Sequence, residues 1–143
     1  MKKNYKAVLL GLLAGVLTSL CTVLVLSYIM KLSHEDYVTL LPKSITTAIG
    51  MGVSEELGGY VTITVAVIVV TGVIGNMLGE VICKVFKIHE PISKGLALGC
   101  SAHAIGTAKA LEMGEIEGAM SGLAIAVSGI LTVALAPVFA NFL

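Results

Sequence analysis

The amino-acid sequence predicts an all-α integral membrane protein with three long transmembrane helices and two shorter, broken helical segments. Of its 143 residues, 57% are hydrophobic and 13% are charged, whereas a soluble domain carries about 25% charged residues. Three uncharged runs each exceed the roughly 20 residues with which a helix crosses a hydrocarbon core of about 30 Å. We therefore predict spans over residues 7–30, 57–79 and 118–143.

The two shorter apolar segments cover residues 42–54 and 95–108. Each is too short to cross a bilayer as a straight helix. They could be re-entrant hairpins or broken helices that cross completely. If both are hairpins, seven lysines fall on the side of the N-terminus and two on the other, whereas full crossing gives four against five. The positive-inside rule favours hairpins that enter from opposite faces of a single transmembrane domain, 1–143.

The two short segments also resemble each other in sequence. When residues 46–59 are placed over residues 102–115, five of fourteen positions are identical. The matched pairs are Ala48/Ala104, Ile49/Ile105, Gly50/Gly106, Glu56/Glu112 and Gly58/Gly114. Paired short, Gly-interrupted hydrophobic segments in corresponding halves are typical of transporters built from inverted repeats, whose binding site lies between the repeats. The sequence therefore predicts an inverted repeat.

Composition and motifs argue against several classes of protein. The formal net charge of zero argues against a basic nucleic-acid binder. The three cysteines form no CxxC pair, so we expect no metal site, and no cofactor fingerprint occurs. No nucleophile–base arrangement occurs either, so we expect no catalytic residues and no enzyme. GxxxG pairs such as Gly75/Gly79 and Gly95/Gly99 predict close helix packing, and we expect a homo-oligomer.

Polar residues in the short segments are the candidate binding residues. A helix that begins inside the membrane exposes unpaired N–H groups and the positive end of its dipole, which attract anions. The chain contains no arginine, so lysine, histidine and hydroxyl groups would have to hold a carboxylate. The alternative is that these residues cap helices or bond neighbouring helices. The predicted substrate-binding residues are Lys43, Ser44, Thr46, Thr47, Ser101, His103 and Thr107.

His103 is the most informative of these residues because it lies inside an uncharged stretch. An ionisable group there is costly and usually faces a cavity or a partner. Histidine titrates near neutral pH, which suits proton coupling. A histidine that only packs between helices is the alternative.

Residues 41–47 (LPKSITT) and 91–124 (PISKGLALGCSAHAIGTAKALEMGEIEGAMSGLA) resemble the LrgB/CidB family of bacterial antiholin-like membrane proteins. The similarity runs through essentially the whole chain, although Ala48 stands where many members have proline. The resemblance implies a multi-pass protein of the cell membrane, corresponding to the C-terminal part of a longer family member. It also implies a holin-like membrane partner of the LrgA/CidA type.

Two functions follow from this resemblance. One is a carrier of small monocarboxylates of the glycolate, glycerate and pyruvate class, linked to autolysis control. The other is a holin- or antiholin-like pore, or a structural regulator of murein hydrolase export, without a substrate site. A pore requires a polar stripe along a full-length span. The polar residues of the three long runs form no continuous stripe, which favours the carrier, with the bilayer and a small carboxylate as its partners.

Overall fold

The computed structural model describes residues 5–143, and this part of the chain contains helices and no strand. The helices are α1 (Tyr5–Met30), α2 (His34–Leu40), α3 (Thr47–Glu56), α4 (Val61–Val85), α5 (Pro91–Met113) and α6 (Glu115–Ala140). Within the described residues, α1, α4 and α6 are long and apolar enough to cross a membrane. The prediction of an all-α membrane protein with three long helices is confirmed.

The element boundaries differ from the prediction in three places. α4 begins four residues later than the predicted span 57–79 and continues past Glu80 and Lys84, because these two side chains pair with each other along the helix at 2.8 Å. α2 forms in a stretch that the sequence analysis treated as a connector; Ser33 caps it by accepting a hydrogen bond from the Asp36 N–H. The second short segment is longer than 95–108, since α5 covers 23 residues.

Helices α2 and α3, with the turn 41–46, fold back on each other to form hairpin 1 (residues 34–56). The Thr64 hydroxyl of α4 lies between the two arms: it donates to the Thr39 carbonyl of α2 at 2.9 Å and contacts the Ser54 hydroxyl of α3 at 2.7 Å. The backbone N–H of Tyr60 also donates to the Thr39 hydroxyl at 2.7 Å. The open end of hairpin 1 therefore lies beside the start of α4.

Helix α5 is a second hairpin, hairpin 2, because its backbone is not helical at His103 (φ 44°, ψ −138°). Its arms are residues 91–102 and 104–113. Both arms contact Ser121 of α6. Gly99 of the first arm packs against the Ser121 carbonyl oxygen, and the Thr107 hydroxyl of the second arm lies 2.7 Å from the Ser121 hydroxyl. The second arm returns to the end of α4, where Lys109 lies 3.5 Å from Glu80.

The two hairpins open at opposite ends of the helix bundle. One end of the bundle, which we name the Glu90 end, contains the start of α1, the end of α4 and both ends of α5. Near this end Gly11 and Gly15 of α1 run alongside Leu96 and Cys100 of α5. The Tyr37 end holds α2, the start of α4 and the end of α6. There the Tyr37 hydroxyl donates to the Phe139 carbonyl at 2.9 Å.

The two hairpins have matching internal geometry. A β-carbon at Gly50 would lie 3.5 Å from the Pro42 carbonyl oxygen, and one at Gly106 would lie 3.0 Å from the Leu98 carbonyl oxygen. Pro42 and Leu98 are as far apart in the chain as Gly50 and Gly106. Each hairpin thus turns back over the corresponding point of its own first arm.

Each hairpin also contacts the long helix that follows the other hairpin. Ile49 of hairpin 1 contacts Gly129 of α6, whose space is limited by the Ile49 Cδ1 at 3.1 Å. Ile105 of hairpin 2 contacts Gly72 of α4, with its Cβ at 2.9 Å from the position of a β-carbon there. Ile49 aligns with Ile105, and after a shift of one residue Val70-Thr71-Gly72 aligns with Val127-Ser128-Gly129. Each of the aligned isoleucines therefore contacts the aligned glycine of the other repeat. A two-fold relation between repeats produces such reciprocal contacts.

Glycines at i, i+4 spacing allow hairpin 2 to approach its neighbours closely. Gly75 and Gly79 of α4 lie against Ala102 and Leu98, and Gly95 of α5 lies against the Glu117 carbonyl. The predicted role of these GxxxG pairs in helix packing is confirmed.

This packing leads to a stability prediction. Substituting Gly75→Ala places a β-carbon against the Ala102 side chain, and the overpacking should destabilise the protein by about 1–3 kcal/mol. Gly122→Ala is the matched control, because nothing lies within 4 Å of a β-carbon there. Thermal unfolding in detergent measures both variants. Equal melting temperatures for the two would contradict the proposed contact between α4 and hairpin 2.

Candidate functional site

A cavity of about 550 Å³ lies where α1, the turn of hairpin 1 and the first arm of hairpin 2 come together. Lys43 and Ser44 come from the turn, and Ser93 and Ser101 come from α5. Its other lining residues are small or hydroxyl-bearing except for one leucine: Ala7, Gly11, Ala14, Gly15, Thr18, Ser19, Thr22, Leu96, Ala97 and Cys100. Three predicted site residues, Lys43, Ser44 and Ser101, therefore line one cavity.

The Ser44 hydroxyl is the polar centre of this cavity. Its oxygen accepts a hydrogen bond from the Ser19 hydroxyl at 3.0 Å and another from the Lys43 ammonium at 2.9 Å. A hydroxyl has two acceptor lone pairs and one proton to donate. With both lone pairs occupied, the proton of Ser44 is left for a further acceptor. Ser44 is only 5% exposed, so this acceptor has to enter the cavity.

The turn that carries Lys43 lies at mid-depth in the bundle. Its neighbour Ser44 bonds Ser19, which is fourteen residues along the 26-residue helix α1. Within the described residues Lys43 has no carboxylate partner. All ion pairs found in residues 5–143 belong to one cluster at the Glu90 end, formed by Glu80, Lys84, Lys109 and Glu112. An unpaired cation at membrane depth is costly and usually serves a substrate or ion pathway.

Ser101 and Ser93 extend the polar lining along the first arm of hairpin 2. The Ser101 hydroxyl donates to the Ala97 carbonyl at 2.7 Å, one turn earlier in the helix. This bond leaves the lone pairs of the oxygen free, and a hydroxyl can rotate its proton toward a ligand. Ser101 is exposed to the cavity, whereas Cys100 beside it is almost fully buried against Gly15.

The remaining predicted site residues do not line this cavity. His103 is 3% exposed and its ring Nε2 lies 2.8 Å from the Ile68 carbonyl oxygen of α4. Because a carbonyl oxygen only accepts, Nε2 carries the proton. The Thr107 hydroxyl donates to the His103 carbonyl at 3.0 Å and contacts Ser121. Both residues therefore hold the break of hairpin 2 in place.

Thr46 and Thr47 lie at the start of α3, where both are partly buried. Thr46 is the N-cap residue of α3, and its side chain makes no capping hydrogen bond. The first N–H groups of α3, which follow Lys43 and Ser44 by a few residues, thus lack a side-chain cap and keep the positive end of the helix dipole uncompensated.

The cavity includes residues of α1 that the sequence analysis did not select. Thr18, Ser19 and Thr22 belong to a long run whose polar residues were predicted to form no continuous stripe. Together with Gly11 and Gly15, they form one face of α1 at three- and four-residue spacing. A search for small and hydroxyl residues at the helical period, rather than for charged groups, would have found them.

Within residues 5–143 no group of three or more His, Cys, Asp or Glu side chains could hold a metal ion. The three cysteines are free: Cys83 and Cys100 are buried and Cys21 is exposed. The cavity therefore offers an ammonium group and hydroxyls, which are suited to binding a small anion by charge-assisted hydrogen bonds.

The fold and the cavity define an integral membrane protein with a polar site at mid-depth. The chain belongs to the LrgB-like family, which it matches over residues 1–142. It is 40% identical over 146 residues to the antiholin-like protein LrgB of Bacillus subtilis (strain 168), and 36% identical over 143 residues to the proteins of the same name from Bacillus cereus (strain B4264) and Bacillus anthracis (strain CDC 684 / NRRL 3495).

Each of these alignments covers 100% of the chain and 62% of the relative. The chain thus spans less than two thirds of the length of the curated relatives that it matches. No solved structure shows significant similarity to it.

Proposed function

We propose that this chain forms part of a carrier for small monocarboxylates of the glycolate, glycerate and pyruvate class. The observation that carries the proposal is Lys43, an ammonium group at mid-depth in the bundle, in a cavity of about 550 Å³ and without a carboxylate partner among residues 5–143. A monocarboxylate supplies one negative charge to neutralise it. A cavity of this volume also leaves room for water around a two- or three-carbon acid.

Lys43 and Ser44 can supply two donors to the two oxygens of a carboxylate. The free proton of Ser44 can be donated to one oxygen, and a second hydrogen of the Lys43 ammonium can be donated to the other. Ser101, on the opposite wall, can bond a hydroxyl or keto oxygen on the neighbouring carbon of the acid. Binding and release need no covalent step, so we propose a carrier and not an enzyme.

The arrangement of the hairpins supports carriage. We propose that hairpins 1 and 2 are re-entrant segments of an inverted repeat, because they open at opposite ends and contact each other's repeat crosswise at Ile49–Gly129 and Ile105–Gly72. Alternating access in such folds comes from one repeat moving against the other around a fixed site. We further propose the cell membrane as the location, a homo-oligomer, and a holin-like partner of the LrgA/CidA type, with autolysis control as a consequence of the flux.

Uptake into proteoliposomes tests this proposal. Vesicles containing the purified chain should accumulate labelled pyruvate or glycolate with saturable kinetics, and an excess of the other unlabelled acid should compete. Empty vesicles and vesicles with heat-denatured chain serve as controls for leak and for misfolded protein. Uptake that rises linearly with concentration and admits neutral solutes of similar size would instead show a holin-like pore.

A further inference from the structure

A second, smaller cavity of about 300 Å³ continues the candidate site toward the Glu90 end. It is lined by Ala7, Val8, Glu90, Ile92, Ser93 and Leu96. Ala7, Ser93 and Leu96 also line the larger cavity. The two spaces therefore form one groove between α1 and the first arm of hairpin 2, which runs from Glu90 at the end of the bundle to Lys43 at mid-depth.

The opposite side of the site is closed by apolar packing. Tyr37, Val38 and Leu41 are at most 1% exposed and pack with Leu20 and Val23 of α1 in one hydrophobic cluster. Ala140 at the end of α6 belongs to the same cluster. No cavity residue lies beyond Thr22 along α1 or before Lys43 in hairpin 1 within the described groove. Apolar packing therefore closes the site toward the Tyr37 end of the bundle.

We infer that this groove is a water-filled access route to the Lys43–Ser44 site, open at the Glu90 end and closed at the Tyr37 end. Its wall on α1 is made of small and hydroxyl-bearing side chains, among them Thr18 and Thr22, which leave room for solvent, and Ser101 lines it from α5. Polar groups at membrane depth are tolerated where they line a water-filled cavity. The identity of the solute that uses this route rests on the proposed function, whereas the presence of water in the groove does not.

Neighbouring positions on α1 provide a matched test. Ala14 lines the groove, and Leu13, the next residue and at the same depth, is 40% exposed but lies outside the groove. In a background with Cys21, Cys83 and Cys100 replaced by alanine, each position is changed to cysteine. A charged, membrane-impermeant methanethiosulfonate reagent is then added to one side of the membrane. Glu90→Cys and Ser33→Cys, both at exposed positions, report which side the reagent reaches.

We expect Ala14→Cys to react at least about tenfold faster than Leu13→Cys, because the thiolate that reacts forms only in contact with water. It should react from the side that labels Glu90→Cys and not from the side that labels Ser33→Cys. Ala97→Cys, on the facing wall, repeats the measurement should Ala14→Cys fail to fold. The inference is overturned if groove and control positions react equally, if both groove positions stay unreactive because lipid or another helix fills the space, or if they react from the Ser33 side.

Adding pyruvate or glycolate separates the route from its cargo. If the site binds a monocarboxylate, either acid should slow the labelling of Ala14→Cys while leaving Glu90→Cys unchanged. Groove-specific labelling that neither acid slows, together with absent uptake, would leave the route standing and remove the proposed function. Saturable uptake of pyruvate or glycolate without groove-specific labelling would support the proposed function and remove the access route.

Discussion

Lys43→Met should strongly weaken the apparent affinity for pyruvate and glycolate in saturable uptake while leaving the protein folded. A charge-assisted hydrogen bond contributes about 1.5–3 kcal/mol, and about 1.4 kcal/mol is a factor of ten in affinity, so we expect a loss of roughly ten- to a hundredfold. Methionine keeps the length of the side chain and removes its charge. Because the ammonium has no carboxylate partner among the described residues, its removal also relieves a desolvation cost.

Stability and uptake should therefore change in opposite directions in this variant. Thermal unfolding of Lys43→Met should occur at an unchanged or higher temperature, which distinguishes a binding role from a structural one. Lys31→Met is the matched control, because Lys31 is exposed at the end of α1 and remote from the cavity; it should transport like the unmodified chain. Unchanged uptake kinetics in Lys43→Met would remove the carboxylate site proposed here.

The long helices could be predicted from hydropathy because length and lack of charge suffice to identify them. The end of α4 could not, since Glu80 and Lys84 interrupt the uncharged run but pair at i, i+4 and so extend the helix. α2 was missed for a related reason: its charged residues Glu35 and Asp36 were interpreted as a connector, yet acidic residues in a first turn favour a helix.

The break in α5 shows a different limit of the sequence. The glycine that aligns between the two short segments is Gly106 in the second one, but the backbone turns at His103, three residues earlier. Histidine is a much weaker signal for a positive φ than glycine is. The turn is set by contacts remote in sequence, namely the Ile68 carbonyl and the close approach of Gly72.

Only part of the site could be predicted, because its geometry also depends on contacts that are remote in sequence. Residues that are unusual by type, such as Lys43 within an apolar segment, stand out in the sequence. Ser19 and Thr22 are ordinary residues of a long span, and only the packing of hairpin 1 against α1 brings Ser19 to Ser44. A cavity between three elements depends on their relative positions, which hydropathy and periodicity do not specify.

His103 connects the two hairpins through one residue of α4. Its Nε2 bonds the Ile68 carbonyl at 2.8 Å, while the Ile68 side chain fills the space beside Gly50 of hairpin 1. Among the described residues no hydrogen bond reaches Nδ1. The residue also adopts φ 44° and ψ −138°, a sparsely populated conformation that costs a side-chain-bearing residue on the order of 1–3 kcal/mol.

Two substitutions distinguish the contribution of the His103 ring from that of its backbone conformation. His103→Ala loses the bond to Ile68 and keeps the strained φ, so it should be less stable by about 1–2 kcal/mol. His103→Gly loses the same bond but adopts φ 44° without strain, so it should unfold at a higher temperature than His103→Ala. If the ring couples the hairpins during transport, both variants should lose uptake despite their different stabilities.

His103→Gln then separates hydrogen bonding from proton transfer. Glutamine can donate to the Ile68 carbonyl but does not titrate. Proton coupling predicts that His103→Gln still binds pyruvate, as measured by slowed cysteine labelling in the groove, but no longer accumulates it when the outside is acidified. A ring that only orients hairpin 2 predicts that both properties survive in this variant. Uptake that follows stability across the series, with His103→Gly close to the unmodified chain and His103→Ala reduced, would leave His103 a packing residue alone.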